Sequence, residues 1–281
     1  MPVIRSDKYG KTRVRLIRVD RSRAPHEVKE LSVAILLEGD FSSAYVDGDN
    51  SNVLPTDTMK NAVYVLARTL AWDSIEALGG GIARHFLDRL SHVSQVSVEI
   101  EEEPWHQIGQ HIAVFLQSGM ERRTSRLIAT RAGISITSGI GGLRILKTAG
   151  SAFAGFLKDE LTTLPETNDR LFATVLQAEW TYAGNDLSFN ELHHDVRALL
   201  LERFAEHESL SVQHTLFAMA VGVLEKIDSV TEIYLAMPNK HCLLVDLARF
   251  GLDNPNVIFV PTDEPSGYIE ARIGRDAANV R

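Results

Sequence analysis

The chain has 281 residues, of which 44% are hydrophobic and 23% are charged, as is ordinary for a globular protein. Its 37 acidic residues outnumber its 29 basic ones, and the formal net charge of −8 argues against a nucleic-acid-binding surface. The single cysteine, Cys242, excludes an intrachain disulfide and a cysteine-rich zinc site. No apolar run reaches about 18 residues, so the sequence predicts no membrane span.

The two ends of the chain suggest a location. The N-terminal segment has no apolar core of the kind found in signal peptides, and the final tripeptide Asn279-Val280-Arg281 is not a peroxisomal signal. We therefore expect a cytoplasmic protein. Its length is that of about two domains, or of one large β-rich domain.

The first half of the chain begins with two strands. Apolar residues occupy every second position from Leu31 to Leu37, which predicts a half-buried strand. In the strand before it, the alternation changes phase at Leu16 and Ile17, and a β-bulge is expected there. Further strands are expected at 96–100 and, from weaker alternation, at 112–116, 127–130 and 134–146.

Two helices are expected between these strands. The first has apolar residues at spacings of three and four from Met59 to Leu70, and the second follows Ser74, a favoured N-cap residue. Gly79-Gly80-Gly81 conflicts with a helix, because each glycine costs about 1 kcal/mol relative to alanine. A close backbone contact or a kink is therefore expected at these glycines.

The second half of the chain repeats this order. A strand runs from Phe172 to Tyr182, two helices begin near Ser188 and after Ser211, and strands follow at 233–237, 243–247 and 257–260. Strands that are grouped apart from pairs of helices predict an α+β fold, in which an antiparallel sheet carries the helices on one face. Because such a sheet has open edges, several copies are expected to associate into a closed barrel.

Several segments have residues suited to chemistry, and each also has a plain structural explanation. Thr56-Asp57-Thr58 is typical of a helix N-cap, although a helix N-terminus can also bind an anion. The irregular segment 150–170 is too long for a hairpin turn, and loops of this length are either functional or disordered. Its anchors Phe153, Phe156 and Arg170 argue against disorder. The plain explanation of Lys11 and Gln213 is that their side chains are solvated, and that of 238–241 is a turn.

Six stretches of the sequence stand out together, and several of them are long and unusual. They are YGK at Tyr9–Lys11, LEGDF at Leu37–Phe41, DNSNVLPTDTMKNAVY at Asp49–Tyr64, GLRILKTAGSAFAGFLKDELTTLPETNDRLFAT at Gly142–Thr174, SVQHTLF at Ser211–Phe217 and MPNKHCLLVDL at Met237–Leu247. In these stretches, and along almost its whole length, the sequence resembles the uricase (urate oxidase) family.

The resemblance implies both a fold and an activity. The fold is the tunnelling fold (T-fold), with tandem units at 1–133 and 134–281 and four chains in a hollow barrel. The activity is the oxidation of urate by dioxygen and water to 5-hydroxyisourate and hydrogen peroxide, with no cofactor and no metal. Each active site would lie between two chains, one supplying the Thr56 side and the other Arg170, Gln213 and Phe153.

The resemblance also assigns the residues that hold the substrate. Arg170 corresponds to the guanidinium that holds the N3/O2 edge of urate, and Gln213 to the amide at the opposite edge. Phe153 corresponds to the ring that stacks on the purine face. The other positions that the family uses to hold urate or dioxygen are Thr56, Asp57, Val212 and Asn239.

A proton relay of Lys11, Thr56 and His241 follows from the same resemblance. A threonine hydroxyl is a poor base, and a lysine amine can draw its proton only if burial lowers the lysine pKa. The relay removes a proton from urate, which then reduces dioxygen. A peroxide forms at C5, hydrogen peroxide leaves, and water attacks to give 5-hydroxyisourate.

Two alternatives remain open, a pterin-type T-fold enzyme and a non-catalytic purine-binding or sensing protein. The first generally needs zinc or a glutamate-anchored pterin, and adjacent helical residues such as His193 and His194 point about 100° apart and cannot chelate one ion. The second would be favoured by loss of a relay residue, and none is lost. Cys242 is expected in the core, and the 107–125 segment departs from the family pattern.

Overall fold

The structure is a computed structural model that describes residues 3–117, 119–262 and 264–275. The C-terminal tripeptide 279–281 lies outside these residues. The chain divides into two compact units, of which unit 1 is Met1–Gly139 with Thr181–His193 and unit 2 is Ile140–Trp180 with His194–Arg281. The tandem T-fold boundary at 133/134 stays a prediction, because spatial compactness does not define a repeat.

The described residues contain both helices and strands. The helices are α1 (Ser42–Val46), α2 (Thr56–Thr69), α3 (Ile75–Arg89), α4 (Phe189–Glu206) and α5 (Val212–Lys226). The strands are β1 (Tyr9–Asp20), β2 (Glu27–Gly39), β3 (Val93–Glu103), β4 (Trp105–Gln107), β5 (Phe115–Gln117), β6 (Arg122–Thr130), β7 (Gly133–Lys147), β8 (Phe172–Tyr182), β9 (Val230–Ala236), β10 (Asn239–Lys240), β11 (Cys242–Leu244), β12 (Phe259–Pro261) and β13 (Glu270–Gly274). None of the described helices is long and apolar enough to cross a membrane.

In unit 1, strands β1, β2, β3 and β6 form an antiparallel sheet in that order. Alternate residues of β2 from Leu31 to Leu37 are buried, as their apolar pattern predicts. Helix α2 packs against β1, and α3 packs against β3 and β6. One face of the sheet therefore forms a core with the two helices, which confirms the expected layer arrangement.

The β-bulge in β1 lies at a different place from the predicted one. The register between β1 and β2 shifts between Lys11 and Val14, where Arg13 has a φ of 55°, whereas the pairing at Leu16 and Ile17 is continuous. The prediction at 16/17 is therefore wrong. Ile17 is 57% exposed, so an apolar residue on the open face of the sheet gave the appearance of a change of phase.

Helix α3 continues through its glycines without a break. A Cβ on Gly79 would lie 2.4 Å from Cδ1 of Leu127, and one on Gly81 would lie 2.5 Å from Cδ1 of Leu70. The predicted close contact is thus confirmed, because the missing side chains let the helix backbone approach β6 and the end of α2. Ser74 caps the helix as predicted, since its Oγ accepts the backbone N–H of Ala77 at 3.2 Å.

In unit 2, the main strands also confirm their predicted pattern. Every second residue of β8 from Phe172 to Trp180 is buried. Strand β10 pairs with β8, and β13 pairs with β9, both antiparallel. Helix α5 packs against β9 and β13 through an apolar face that includes the buried Leu216, Ala220 and Val223.

Helix α1 and strands β4 and β13 were not predicted from the sequence. The strand expected at 112–116 is wrong, because the chain turns at Ile112 and Ala113 and β5 begins only at Phe115. Strand β5 pairs with β4 in a separate two-stranded hairpin, on which Ile112 and Val114 are exposed. The alternation of apolar residues at 112–116 therefore does not mark the buried face of a strand.

Candidate active site

In unit 1, the predicted relay residues Lys11 and Thr56 lie on two elements that pack together. Lys11 is half-buried on β1, and Thr56 is the first residue of α2. The backbone N–H of Leu54 donates to the Tyr9 hydroxyl at 2.9 Å, which ties the segment before α2 to β1. The N-cap is Pro55, and no side chain caps the helix in the described part of the chain. The plain explanation of Thr56 as a helix cap is therefore wrong.

Asp57 extends this group at the N-terminus of α2. Lys60 contacts its Oδ1, and Asn61 Nδ2 donates to its Oδ2 at 3.2 Å. The hydrogen bond from Lys60, with a smaller effect of the Lys11 charge, lowers the pKa of the Asp57 carboxyl. Lys11 thus lies within electrostatic range of the helix terminus, and unit 1 brings Lys11, Thr56 and Asp57 into one neighbourhood.

In unit 2, four of the predicted residues line one cavity. Phe153, Arg170, Asn239 and His241 border a space of about 450 Å³. This volume suits a small ligand. A larger cavity of about 540 Å³ lies in unit 1 along β1 and α2, but none of the predicted site residues lines it. Convergence of four chemically suited residues identifies the unit 2 cavity as the candidate site.

Arg170 is a cationic side chain in the wall of this cavity, which Glu166 and Asp169 also line. Its Cζ lies 5.2 Å from the centre of the Phe153 ring, which in turn stacks on Phe156 at a centroid distance of 4.9 Å. Its Nε is buried and has no hydrogen-bond partner within the described residues. Burial lowers the pKa of Arg170. A half-buried guanidinium next to an aromatic ring is suited to a flat anion.

Backbone hydrogen bonds hold Phe153 in place. Its N–H donates to the Thr167 carbonyl at 2.8 Å, and the Thr167 N–H donates back at 3.0 Å. Just before it, the Ala152 N–H donates to the carbonyl of Ser209 at 2.7 Å, and the Ser209 N–H donates to the carbonyl of Gly150 at 3.0 Å. The long loop is therefore fixed near Phe153, and the prediction that it is ordered is confirmed.

Asn239 belongs to a strand, where the sequence suggested a turn. It pairs with Thr174 of β8, and its N–H donates to the Gly267 carbonyl at 2.7 Å. The plain explanation of 238–241 as a simple turn is wrong, because this backbone bonds to neighbours on both sides. His241 comes directly after strand β10 and is half-buried. Its backbone carbonyl accepts the Thr262 N–H at 2.8 Å.

Val212 and Gln213 begin helix α5, and neither is among the residues that line the cavity. Val212 is buried, whereas Gln213 is exposed. Ser211 caps the helix, because its Oγ accepts the backbone N–H of His214 at 3.1 Å. The unit 2 cavity thus contains four of the six predicted site residues of that unit, and the other two lie at the start of a helix.

Cys242 is not a core residue, contrary to the sequence-based expectation. Its thiol is free and half-buried, and the residue lines the same cavity as Arg170. The expectation failed because β11 pairs with the short strand β12 in a separate two-stranded sheet, which cannot enclose a side chain. Asn256 and Phe259 also line the cavity and were missed, because the strand pattern at 257–260 does not show which cavity its residues line. Among the described residues, no group of three His, Cys, Asp or Glu side chains could hold a metal ion.

Comparison with known families decides the relationship. A family model described as Uricase matches residues 7–127 and 136–270. The chain belongs to the uricase family. The uricase of Arthrobacter globiformis is 40% identical over 276 residues, which cover 98% of this chain and 91% of that relative. The uricase of Dictyostelium discoideum is 38% identical, with 98% of each chain covered.

Solved uricase structures share the fold of this uricase-family chain. The crystal structure of the Arthrobacter globiformis uricase has a TM-score of 0.96 at 40% identity and covers 99% of this chain and 96% of that one. The urate oxidase of Bacillus sp. TB-90 has a TM-score of 0.85 at 26% identity, with 96% and 100% covered. The expected family and the expected α+β T-fold class are therefore confirmed. The gap in the family match, 128–135, contains the turn between β6 and β7.

Proposed function

We propose that this uricase-family protein is a urate oxidase, which converts urate, dioxygen and water into 5-hydroxyisourate and hydrogen peroxide. The observation that carries the proposal is the half-buried Arg170 guanidinium beside the Phe153 ring in the unit 2 cavity. Urate is a flat anion, so two parallel N–H groups suit its N3/O2 edge and an aromatic ring suits its face. Family membership supports the same reaction.

In the proposed mechanism, Lys11, Thr56 and His241 move the proton. The Thr56 hydroxyl, which does not cap its helix, takes a proton from urate as the Lys11 amine draws its own proton away. The N-terminus of α2 presents free N–H groups and positive potential to the growing negative charge. Asp57 supplies one of these backbone groups.

The electron-rich urate then reduces dioxygen, which is held near Asn239. A peroxide forms at C5 and leaves as hydrogen peroxide, taking two electrons from urate. Water adds to the oxidised ring and gives 5-hydroxyisourate, so the atoms balance as urate plus O₂ plus H₂O. The reaction as proposed requires no cofactor.

We further propose a homotetramer in which two copies build each site, one giving the Thr56 side and the other Arg170, Phe153 and Gln213. Two features support association. Strands β1 and β13 stand at the ends of the strand order and can accept further pairing. In addition, Leu157 is 95% exposed and Leu161 is 81% exposed, as is typical of surfaces that are covered in an assembly.

Absorbance of urate in its ultraviolet band tests the proposed activity. The purified chain in air should consume urate steadily and release one equivalent of hydrogen peroxide, with no metal or flavin added. Binding without consumption would indicate a purine-binding protein, and neither binding nor consumption would refute the proposal. Sedimentation across a dilution series tests the assembly, because full activity of isolated monomers would contradict shared sites.

We propose the cytoplasm as the location. A single free cysteine, Cys242, is compatible with a reducing compartment. Fractionation of cells that express the full-length chain, with an untagged terminus, tests the location.

A further inference from the structure

The segment that joins α4 to α5 in unit 2 is bonded to two parts of the proposed urate site. This connector, residues 207–211, leads directly into Val212 and Gln213. Two backbone hydrogen bonds, of 2.7 and 3.0 Å, join its Ser209 to the segment just before Phe153. One short connector is thus hydrogen-bonded to the backbone just before Phe153 and leads into the turn that carries the proposed edge-binding amide of Gln213.

A pair of histidines fastens the connector to the first turn of α5. Nε2 of His207 lies 3.2 Å from Nδ1 of His214, and their ring centroids are 4.3 Å apart. Because two neutral imidazoles share one bridging proton, one ring donates and the other accepts. Lys147, at the end of β7, contacts the backbone carbonyl of His207 and holds the connector from the other side.

We propose that His207 and His214 are positioning residues for urate binding. Their ring-to-ring hydrogen bond sets the orientation of the first turn of α5, and thereby of the Gln213 carboxamide, relative to Phe153. This inference rests on the proposed urate oxidase function. Neither histidine lines the cavity that contains Arg170, so both act through the residues that they orient.

Burial and neighbouring charges act on His207 of this pair. Burial, then the neighbouring His214 and then Lys147, lower the pKa of His207, and Glu208 acts against them. The α4 and α5 side chains that line a cavity of about 480 Å³ with His207 add further charges: Arg203, Glu206 and Glu225. A first added proton leaves a donor and an acceptor in place, whereas a second leaves two donors facing each other.

Equilibrium binding of urate without oxygen separates positioning from chemistry. His207→Leu removes the bond, and His207→Gln keeps an amide near the place of Nε2. We expect the leucine variant to raise the urate Kd about three- to tenfold, the range of one hydrogen bond, and the glutamine variant to restore it. The kcat at saturating urate should stay within about twofold, because the relay is untouched. His194→Gln, an exposed histidine on α4, is the matched control.

A double-mutant cycle with Gln213 distinguishes positioning from a general loss of stability. In a Gln213→Ala background, His207→Leu should raise Kd no further, because the amide that it orients is gone. A structural defect would raise Kd by the same factor in both backgrounds. His214→Leu and His214→Asn repeat the contrast from the α5 side, so that failure of one variant to fold does not end the test.

The outcomes separate this inference from the proposed function. Equal Kd values for wild type and both leucine variants, or equal effects in both Gln213 backgrounds, would overturn the positioning role alone. Urate that binds but is not oxidised would overturn the oxidase activity, while the Kd contrast still tests the histidines. A wild-type protein that does not bind urate would overturn both.

Discussion

Replacement of Glu76 by alanine should destabilise unit 1 strongly. The side chain is fully buried in the first turn of α3, and its Oε2 lies 2.7 Å from Nη2 of Arg123. Its Oε1 accepts the Ser138 hydroxyl at 2.5 Å. Without Glu76, a guanidinium that is only 11% exposed loses its nearest carboxylate.

The magnitude follows from what remains around Arg123. Removal of one partner of a buried ion pair costs about 3–5 kcal/mol, because the other charge stays desolvated. Arg123 keeps a hydrogen bond from Nη1 to Asn190 at 2.6 Å, and Glu102 lies opposite it in the register of β3 and β6, where the two charges attract each other. Both features reduce the loss. We therefore expect the free energy of unfolding to fall by about 3 kcal/mol, the lower end of the range.

Urea unfolding followed by circular dichroism measures this loss. Glu101→Ala, on the exposed face of β3, is the control and should change stability by less than about 0.5 kcal/mol. The double variant Glu76→Leu with Arg123→Met should recover most of the stability, because an apolar pair replaces both buried charges. A loss below about 1 kcal/mol for Glu76→Ala, or no recovery in the double variant, would contradict a desolvated Arg123 charge as the source of the instability.

Three further predictions concern the site and the core. Arg170→Ala should raise the KM for urate about 10- to 100-fold, and Lys11→Ala should mainly lower kcat, about 100-fold or more, both measured by steady-state kinetics. Burial raises the pKa of Glu102 above its usual 4.5. Ionisation of Glu102 therefore lowers the stability of the folded chain as pH rises. The Glu102→Gln variant should have a higher Tm than wild type at about pH 8, but not at a pH below 4.5. Gly79→Ala should cost about 1–3 kcal/mol, because its Cβ meets Leu127 at 2.4 Å.

Each of these three predictions has a contrary result. A kcat defect in Arg170→Ala with a KM defect in Lys11→Ala would mean that the two roles are exchanged. An equal Tm difference for Glu102→Gln at both pH values would mean that burial does not govern its ionisation. An unchanged stability for Gly79→Ala, measured against Gly133→Ala where a Cβ meets open space, would mean that Leu127 moves aside.

Sequence patterns alone were enough to predict the main elements of the fold. Apolar residues alternate in β2 and β8 and recur at spacings of three and four in α2 and α5. These patterns were sufficient to predict the elements, because side-chain periods of two and 3.6 follow from local backbone geometry. Long motifs such as Asp49–Tyr64 were sufficient to indicate the family. They are continuous segments, so their residues and their order along the chain can be compared directly.

Which residues come into contact was visible only in the folded chain. It placed the bulge after Lys11 and not at Ile17, moved Cys242 from the expected core to the wall of the cavity, and brought Arg170 to the same cavity as His241. It also joined His207 to His214 across the connector. These features depend on burial and on contacts between segments that are distant in sequence. The periodicity of apolar residues indicates only which face of one element is buried. It therefore cannot predict contacts between distant segments.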